Sequence, residues 1–273
     1  MSESTSSNPN LSAAQDFAAD LDLALRLANE ADKISLARFR ALDLTIETKP
    51  DRSPVTDADR AVEQALKATL AAERETDGII GEEFGNSGSV DRKWIIDPID
   101  GTANYMRGVP VWASLIALSV NQKPVLSVVS APALGRRWWA APGVGAFTSD
   151  IDGSVRELSV SGISDLENAS LSYNNLQLWD SYCYLDQLMS LSREVWRTRA
   201  YGDFLSYMYL AEGSLDIVAE HDLKIYDIAA LVPVVELAGG VFTAIGGELT
   251  ESTTSVLATN GKLHAATMNK LAK

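Results

Sequence analysis

The sequence predicts an α+β chain: a layered αβαβα sandwich with an antiparallel sheet in the N-terminal half, a mixed sheet in the C-terminal half, and helices between and outside. Three observations predict it. From Val111 to Thr148 short strands follow one another across Pro/Gly turns, the pattern of an antiparallel meander. From Ala169 onward strand and helix alternate, which favours parallel or mixed pairing between helical layers. Ahead of both, Leu11 to about Arg40 carries apolar residues at helical spacing (Phe17, Leu21, Ala24, Leu25, Ala28, Ala31, Ile34), which makes one long amphipathic helix.

The remaining elements follow in order. Thr45 to Thr48 reads as a strand, and Lys49 to Thr56 as a loop with two prolines. Thr56-Asp57-Ala58-Asp59 opens a second helix running to about Arg74, and T-x-x-D is a capping-box spacing. Gly78 to Gly81 is a short apolar strand ending in Glu82 and Glu83, followed by a Gly/Ser-rich loop through Asp91. Trp94 to Ile96 reads as a buried strand end. The meander strands are Val111 to Val120, Val125 to Ser130, Arg136 to Ala140 and Ala146 to Thr148, with Trp138 and Trp139 as packing residues. The stretch from Ile151 to Asn168 is rich in Ser, Gly and Asp and sets a domain boundary. The expected organisation is a disordered tail at 1–10, an N-terminal α+β domain at 11–150, and a C-terminal α/β domain at 151–273.

In the second half, Ala169 to Tyr173, Val195 to Arg199 and Leu215 to Ala219 are expected strands, and Gln177 to Leu191 and Phe204 to Glu212 expected helices. Glu220 to Ala230 leads into an apolar helix that stops at Gly239-Gly240. Short strands at Val241 to Ala244 and Ser255 to Ala258 follow, and Asn260 is placed to cap a last helix.

At 273 residues, 46% hydrophobic and 22% charged, the chain has the make-up of an ordinary globular protein with a sizeable core. The net charge of −14 counts against nucleic-acid or anionic-membrane binding, because no basic field gathers phosphates. An anionic substrate therefore depends on metal ions and local dipoles. A single Cys183 excludes an internal disulfide, and with two histidines it cannot build a soft-metal site. The first ten residues have neither a basic flank nor an apolar core, so a cytoplasmic protein is expected.

The chemistry concentrates at the end of the Trp94 strand. Asp97 and Asp100 flank Pro98, whose fixed φ and missing N–H turn the segment sharply and aim both carboxylates at one point. Two like charges held close need a cation, and hard oxygen ligands argue for Mg²⁺. Gly101 and Thr102 let the backbone approach closely and open a helical turn with free N–H groups for an anion. An Asp-Pro turn followed by a Thr cap explains the same residues without any metal. Asp59 is likewise explained by capping, and Asp227 by its place in the first turn of a helix.

Taken together, Pro54 to Asp59, Gly81-Glu82-Glu83, Trp94 to Thr102, and Tyr226-Asp227-Ile-Ala-Ala with its trailing Ala238-Gly-Gly resemble the inositol monophosphatase family over nearly the whole chain. The resemblance implies that Glu82, Asp97, Asp100, Asp227 and the carbonyl of Ile99 bind Mg²⁺, about two or three ions per site. It implies that Asp59 and Thr102 activate a metal-bound water, that backbone at Gly101 and Thr102 holds the phosphate, and that the protein is a homodimer. Within the family, Val109 to Leu118, Ser130 to Leu134, Arg136 to Ala140, Tyr201 to Tyr207 and Leu223 to Val234 look like histidinol-phosphate phosphatases. Ala103 departs from the Thr or Lys expected after Gly-Thr, and Tyr226 stands where many members have Trp.

The implied activity is Mg²⁺-dependent hydrolysis of a small phosphate monoester, with L-histidinol phosphate ahead of inositol or sugar phosphates. A non-catalytic binding protein on the same fold would lack one of the acids, and all are present. Asp203 at the expected start of a helix is explained by the macrodipole alone; the resemblance instead implies that it, with Glu220 as a second candidate, lies beside the leaving group, where a carboxylate suits an ammonium and an imidazolium.

Overall fold

The computed structural model describes residues 10–50 and 52–272. The expected tail lies outside the described residues except for Asn10, which opens α1 (Asn10–Arg38). A short antiparallel hairpin, β1 (Ile46–Thr48) and β2 (Pro54–Thr56), leads into α2 (Asp57–Glu73). The large sheet then forms from β3 (Gly78–Gly81), β4 (Gly85–Ser87), β5 (Arg92–Asp100), β6 (Ala113–Val120), β7 (Lys123–Ala131), β8 (Arg136–Ala141), β9 (Gly145–Ser149) and β10 (Val155–Glu157). A five-residue helix, α3 (Thr102–Met106), sits between β5 and β6. The strand order is β10-β9-β8-β7-β6-β5-β3-β4, antiparallel throughout except that β3 and β5 run parallel.

The second half begins with β11 (Ser170–Tyr173), α4 (Leu176–Ser181), α5 (Leu185–Glu194), β12 (Arg197–Thr198) and α6 (Asp203–Ala211). It continues through β13 (Ile217–His221), α7 (Ile225–Ile228), α8 (Leu231–Leu237), β14 (Val241–Ala244), β15 (Ser255–Thr259) and α9 (His264–Leu271). Its five strands lie in the order β12-β11-β13-β15-β14, with β11 parallel to both neighbours and β15 antiparallel to both of its own.

Strand residues explain the layering. Along β6, Leu115 and Ala117 face one core while Ile116 and Leu118 face another, so both sides of the sheet are dry and the strand reads as a continuous apolar run. The outer side is covered by α1 (Leu23, Leu27, Ala31) and α2 (Val62, Leu66, Leu70). The inner side meets α6 and α8, and these in turn cover one face of the second sheet through Val218 and Ala258. Ile217 and Ala219, alternate residues of β13, point instead to Trp179, Leu188 and Leu271 on the far side. Helices, sheet, helices, sheet, helices is the resulting order, as the sequence pattern predicts. Trp138 is fully buried, as expected of a packing residue, and Trp139 stacks on Phe147.

Several elements differ from expectation, each for a physical reason. The Gly/Ser loop after Glu83 contains β4, which hairpins back on β3, and the linker near Ile151 contains β10, which extends the large sheet by one edge strand. The helix expected from Gln177 to Leu191 is two helices. Cys183 sits at φ 61 between them, and its neighbours Tyr182 and Tyr184 each pack on the His221 ring with centroids 5.0 Å apart. The apolar helix after Asp227 breaks between α7 and α8, where Pro233 has no N–H to bond the carbonyl of Ala229. Val195 to Arg199 yields only the two residues of β12. Asn260 accepts from Leu263 N–H at 3.2 Å in the turn before α9 rather than capping the helix itself, which begins at His264.

Candidate active site

The parallel pairing of β3 and β5 creates the site. Gly81 is in register with Ile96, so the two chains leave the sheet side by side at Glu82 and Asp97. Beyond Asp97 the pairing of β5 with β6 slips by one residue, because Asp97 opposes Leu115 while Asp100 opposes Ala113. Pro98 offers no N–H to the ladder, Ser114 Oγ donates to its carbonyl at 2.7 Å, and Ile99 N–H turns back to Asp97 Oδ1 at 3.0 Å. The bulge turns Asp97 and Asp100 towards Asp227 of α7, and one oxygen from each of the three lies within 4.8 Å of the others.

Each of these carboxylates is held by backbone N–H groups. Asp100 Oδ2 accepts from Phe204 N at the start of α6 (2.7 Å), and Asp227 Oδ2 accepts from Lys224 N just ahead of α7 (2.6 Å). Glu82 stands apart from this trio and pairs with Lys49 Nζ at 2.7 Å. Lys49, which the sequence placed in a loop without a role, also reaches Glu83 at 2.5 Å. Glu83, left unassigned by the sequence, thus takes part in an ion pair beside the cleft.

Asp59 caps α2, as its spacing predicts, and also meets Thr102. Thr56 and Asp59 form a reciprocal capping box at the start of α2, with Thr56 N–H and Oγ at 2.8 and 2.5 Å from Asp59 Oδ2. The other oxygen, Oδ1, lies 3.1 Å from Thr102 Oγ, which is also 2.9 Å from the Ile99 carbonyl. With one proton, the hydroxyl donates to one of these acceptors at a time. Gly101 precedes Thr102 at φ 83, and a Cβ there would lie 2.9 Å from the Val111 carbonyl and 3.2 Å from Asp203 Oδ2. Only glycine fits this approach.

One cleft of about 290 Å³ collects Glu82, Asp97, Ile99, Asp100, Gly101, Thr102, Asp203, Glu220 and Asp227. Asp59 is fully buried behind Thr102 and reaches the cleft only through that hydroxyl. Asp203 takes φ 49 at the head of α6, where Asn104 Nδ2 donates to it at 2.8 Å. Glu220 on β13 is buried and accepts from Tyr207 O–H at 3.0 Å, while its second oxygen meets no hydrogen-bond partner among the described residues. Asn104 and Tyr207 carry no sequence signal of their own, because their partners lie on other elements. A larger groove of about 560 Å³ along α8 carries Glu236 and Glu248 but none of the clustered acids.

So many buried acids raise one another's pKa. Burial, then Glu82 and Asp100, push Asp97 well above the ordinary carboxylate range, and burial, then Asp203, does the same to Asp100. Burial raises Asp227 to about 7, Glu220 to about 8, and Asp59 and Asp203 to about 6. Each folded pKa lies above its unfolded value of about 4, so the folded state holds protons that the unfolded chain has already released. The stabilisation is present in full below about pH 4 and is lost as pH rises through each folded value. Metal-free protein is therefore expected to melt at progressively lower temperature between about pH 4 and 8, and a saturating divalent cation to flatten that slope. Melting curves that stay level without metal would mean that these carboxylates are not crowded in the folded protein.

Comparison with known proteins agrees with this geometry. The description of the inositol monophosphatase family matches residues 18–273. A histidinol-phosphatase of Mycobacterium tuberculosis is 53% identical over 254 residues, which are 92% of this chain and 97% of that protein. One from Streptomyces coelicolor is 50% identical, covering 91% of this chain and 95% of its own. The solved structure of an inositol monophosphatase from Zymomonas mobilis is similar with a TM-score of 0.82 at 34% identity, covering 93% of this chain and 98% of that one. Likeness of this extent establishes that the chain belongs to the inositol monophosphatase family and is a phosphoric monoester hydrolase.

Proposed function

We propose that the chain hydrolyses L-histidinol phosphate to L-histidinol and inorganic phosphate, using Mg²⁺ held in the acidic cleft. The observation that carries the substrate is the half-identity, over nearly full length, to two histidinol-phosphatases. The donor set fits the ion, since Asp97, Asp100 and Asp227 are hard oxygen ligands whose partners are backbone N–H groups, with lone pairs left over. Glu82 and the Ile99 carbonyl complete the proposed ligands, for about two or three ions. When bound, these ions supply Lewis acidity to the phosphoryl oxygens and make a water acidic enough to attack phosphorus at neutral pH.

The chain's own residues do the rest. Thr102 Oγ orients the water and passes its proton to Asp59, which burial has raised to about 6, close enough to neutrality for general-base work. Backbone N–H groups at Gly101 and Thr102 hold the phosphate, and Ala103 adds neither a hydroxyl nor an ammonium there. The ester P–O bond breaks opposite the attacking water, so no covalent phosphoenzyme forms. Asp203 and Glu220 face the leaving group and pair with its amino or imidazole group. The reading extends to a homodimer, as the resemblance implies, and to the cytoplasm, as the make-up of the first ten residues suggests; sedimentation velocity and cell fractionation test the two, and no helix among the described residues is long and apolar enough to cross a membrane.

One observation favours a second reading, an inositol or sugar phosphate, because burial raises the Glu220 carboxyl to about 8 and a carboxyl that keeps its proton near neutral pH suits an uncharged polyol. A phosphate-release panel over histidinol phosphate, inositol phosphate and fructose bisphosphate decides between the two. Asp203→Asn sharpens the test, since Asn tolerates the positive φ and keeps an oxygen for Asn104. A charge-assisted hydrogen bond contributes about 1.5 to 3 kcal/mol, so kcat/KM on histidinol phosphate should fall about ten- to a hundredfold. Turnover of p-nitrophenyl phosphate should stay nearly unchanged. Equal losses on both would mean that Asp203 supports the scaffold or Asp100 instead, and the polyol reading would lead.

A further inference from the structure

We propose that Glu63 is a positioning residue for Glu82, setting the affinity of the cleft for Mg²⁺ from behind the hairpin without touching ion or substrate. The proposal rests on Glu82 being a ligand, as argued above. Glu63 lies on α2, one helical turn after Asp59, and its side chain is fully buried. Its two oxygens accept from the backbone N–H groups of Glu83 (2.7 Å) and Phe84 (3.0 Å), the residues that carry the chain round from β3 to β4. These donors sit in a three-residue loop, where Gly81 pairs with Gly85 and the ladder offers them no acceptor.

The contact is built closely. A Cβ on Gly81 would lie 1.8 Å from Glu63 Oε1, so the carboxylate fills the space that glycine leaves open, directly beneath the residue preceding Glu82. Glu82 is thereby held from its backbone side, while its carboxylate lines the cleft with Oε1 paired to Lys49 Nζ. Only a carboxylate answers both N–H groups, because an amide offers one oxygen and sets its NH₂ against the second donor. The same helix carries Asp59, so one rigid element registers the proton acceptor against the strand end that bears Glu82.

Mg²⁺ titration calorimetry on metal-free wild type, Glu63→Gln and Glu82→Gln tests this. Loss of an outer-shell partner lowers metal affinity about 10- to 100-fold, and Glu63→Gln should weaken Mg²⁺ by that factor. Its kcat at saturating Mg²⁺ should remain within about threefold of wild type, since no group that meets the substrate has changed. A merely structural role would lower the metal-free melting temperature and leave the Mg²⁺ affinity alone, which overturns the proposal. If Glu82→Gln also leaves that affinity unchanged, the ligand assignment itself has failed; if only Glu63→Gln does, the positioning role has. Should Glu63→Gln not fold, Glu63→Asp, which keeps the charge but shortens the reach to the two N–H groups, takes its place in the titration: weaker Mg²⁺ binding supports the role, and unchanged affinity refutes it.

Discussion

Asp97→Asn is expected to abolish Mg²⁺-dependent phosphate release while leaving the metal-free protein at least as stable as wild type. The two halves of that result have one cause. Burial first, then Glu82, Asp100, Asp227 and Asp59, push the Asp97 carboxyl upward, so this one side chain feels four neighbouring acids. With cations in place that crowding becomes ligand strength, and a neutral amide removes charge where the phosphate is clamped. Without cations the same substitution relieves like-charge repulsion, and Asn retains the oxygen that accepts from Ile99 N–H. At pH 8 the metal-free variant should melt no lower than wild type, and about 2 to 4 °C higher for each kcal/mol of repulsion relieved. Retention of more than about a tenth of the wild-type rate would remove Asp97 from the metal site. A drop in metal-free stability would show that its charge has a partner inside the fold.

What the sequence made legible was the ends of elements. Trp94 to Ile96 announces a buried strand, the acids after it announce its mouth, and T-x-x-D announces the first turn of a helix; these are local patterns with local physical causes. The acids also repeat after Gly81, but their convergence depends on β3 and β5 lying parallel and adjacent, which is a property of strand order. Lys49, Glu63, Asn104 and Tyr207 carry no local sign of their partners for the same reason. Each meets its partner across 13 to 99 positions of chain, so no spacing within a window reveals the pair. The break at Cys183 was hidden because the tyrosines on either side read as helical residues until the His221 ring, on another strand, is there to receive them. The fold class was easier to read than its details, since two-sided apolar strands such as β6 demand cover on both faces whatever their neighbours are.

Asp59→Asn should lower kcat by about 10²- to 10⁴-fold, with KM little changed, and should cost at most about 1 kcal/mol of stability. The geometry separates these effects. An asparagine that turns its oxygen to Thr56 N–H preserves the cap of α2, but its NH₂ then faces Thr102 Oγ. That hydroxyl must accept from the amide and donate to the Ile99 carbonyl at 2.9 Å, so it can pass no proton inward. The opposite rotamer restores an acceptor for Thr102 and sets NH₂ against Thr56 N–H, exchanging a catalytic defect for a frayed helix start. In both orientations the residue has lost the basicity that lets a buried carboxylate, raised to about 6, take a proton near neutral pH. Steady-state kinetics beside a thermal melt give the answer. A variant that keeps kcat within about tenfold of wild type while melting several degrees lower would confine Asp59 to capping α2, and the proton acceptor would have to be sought among the carboxylates that line the cleft directly.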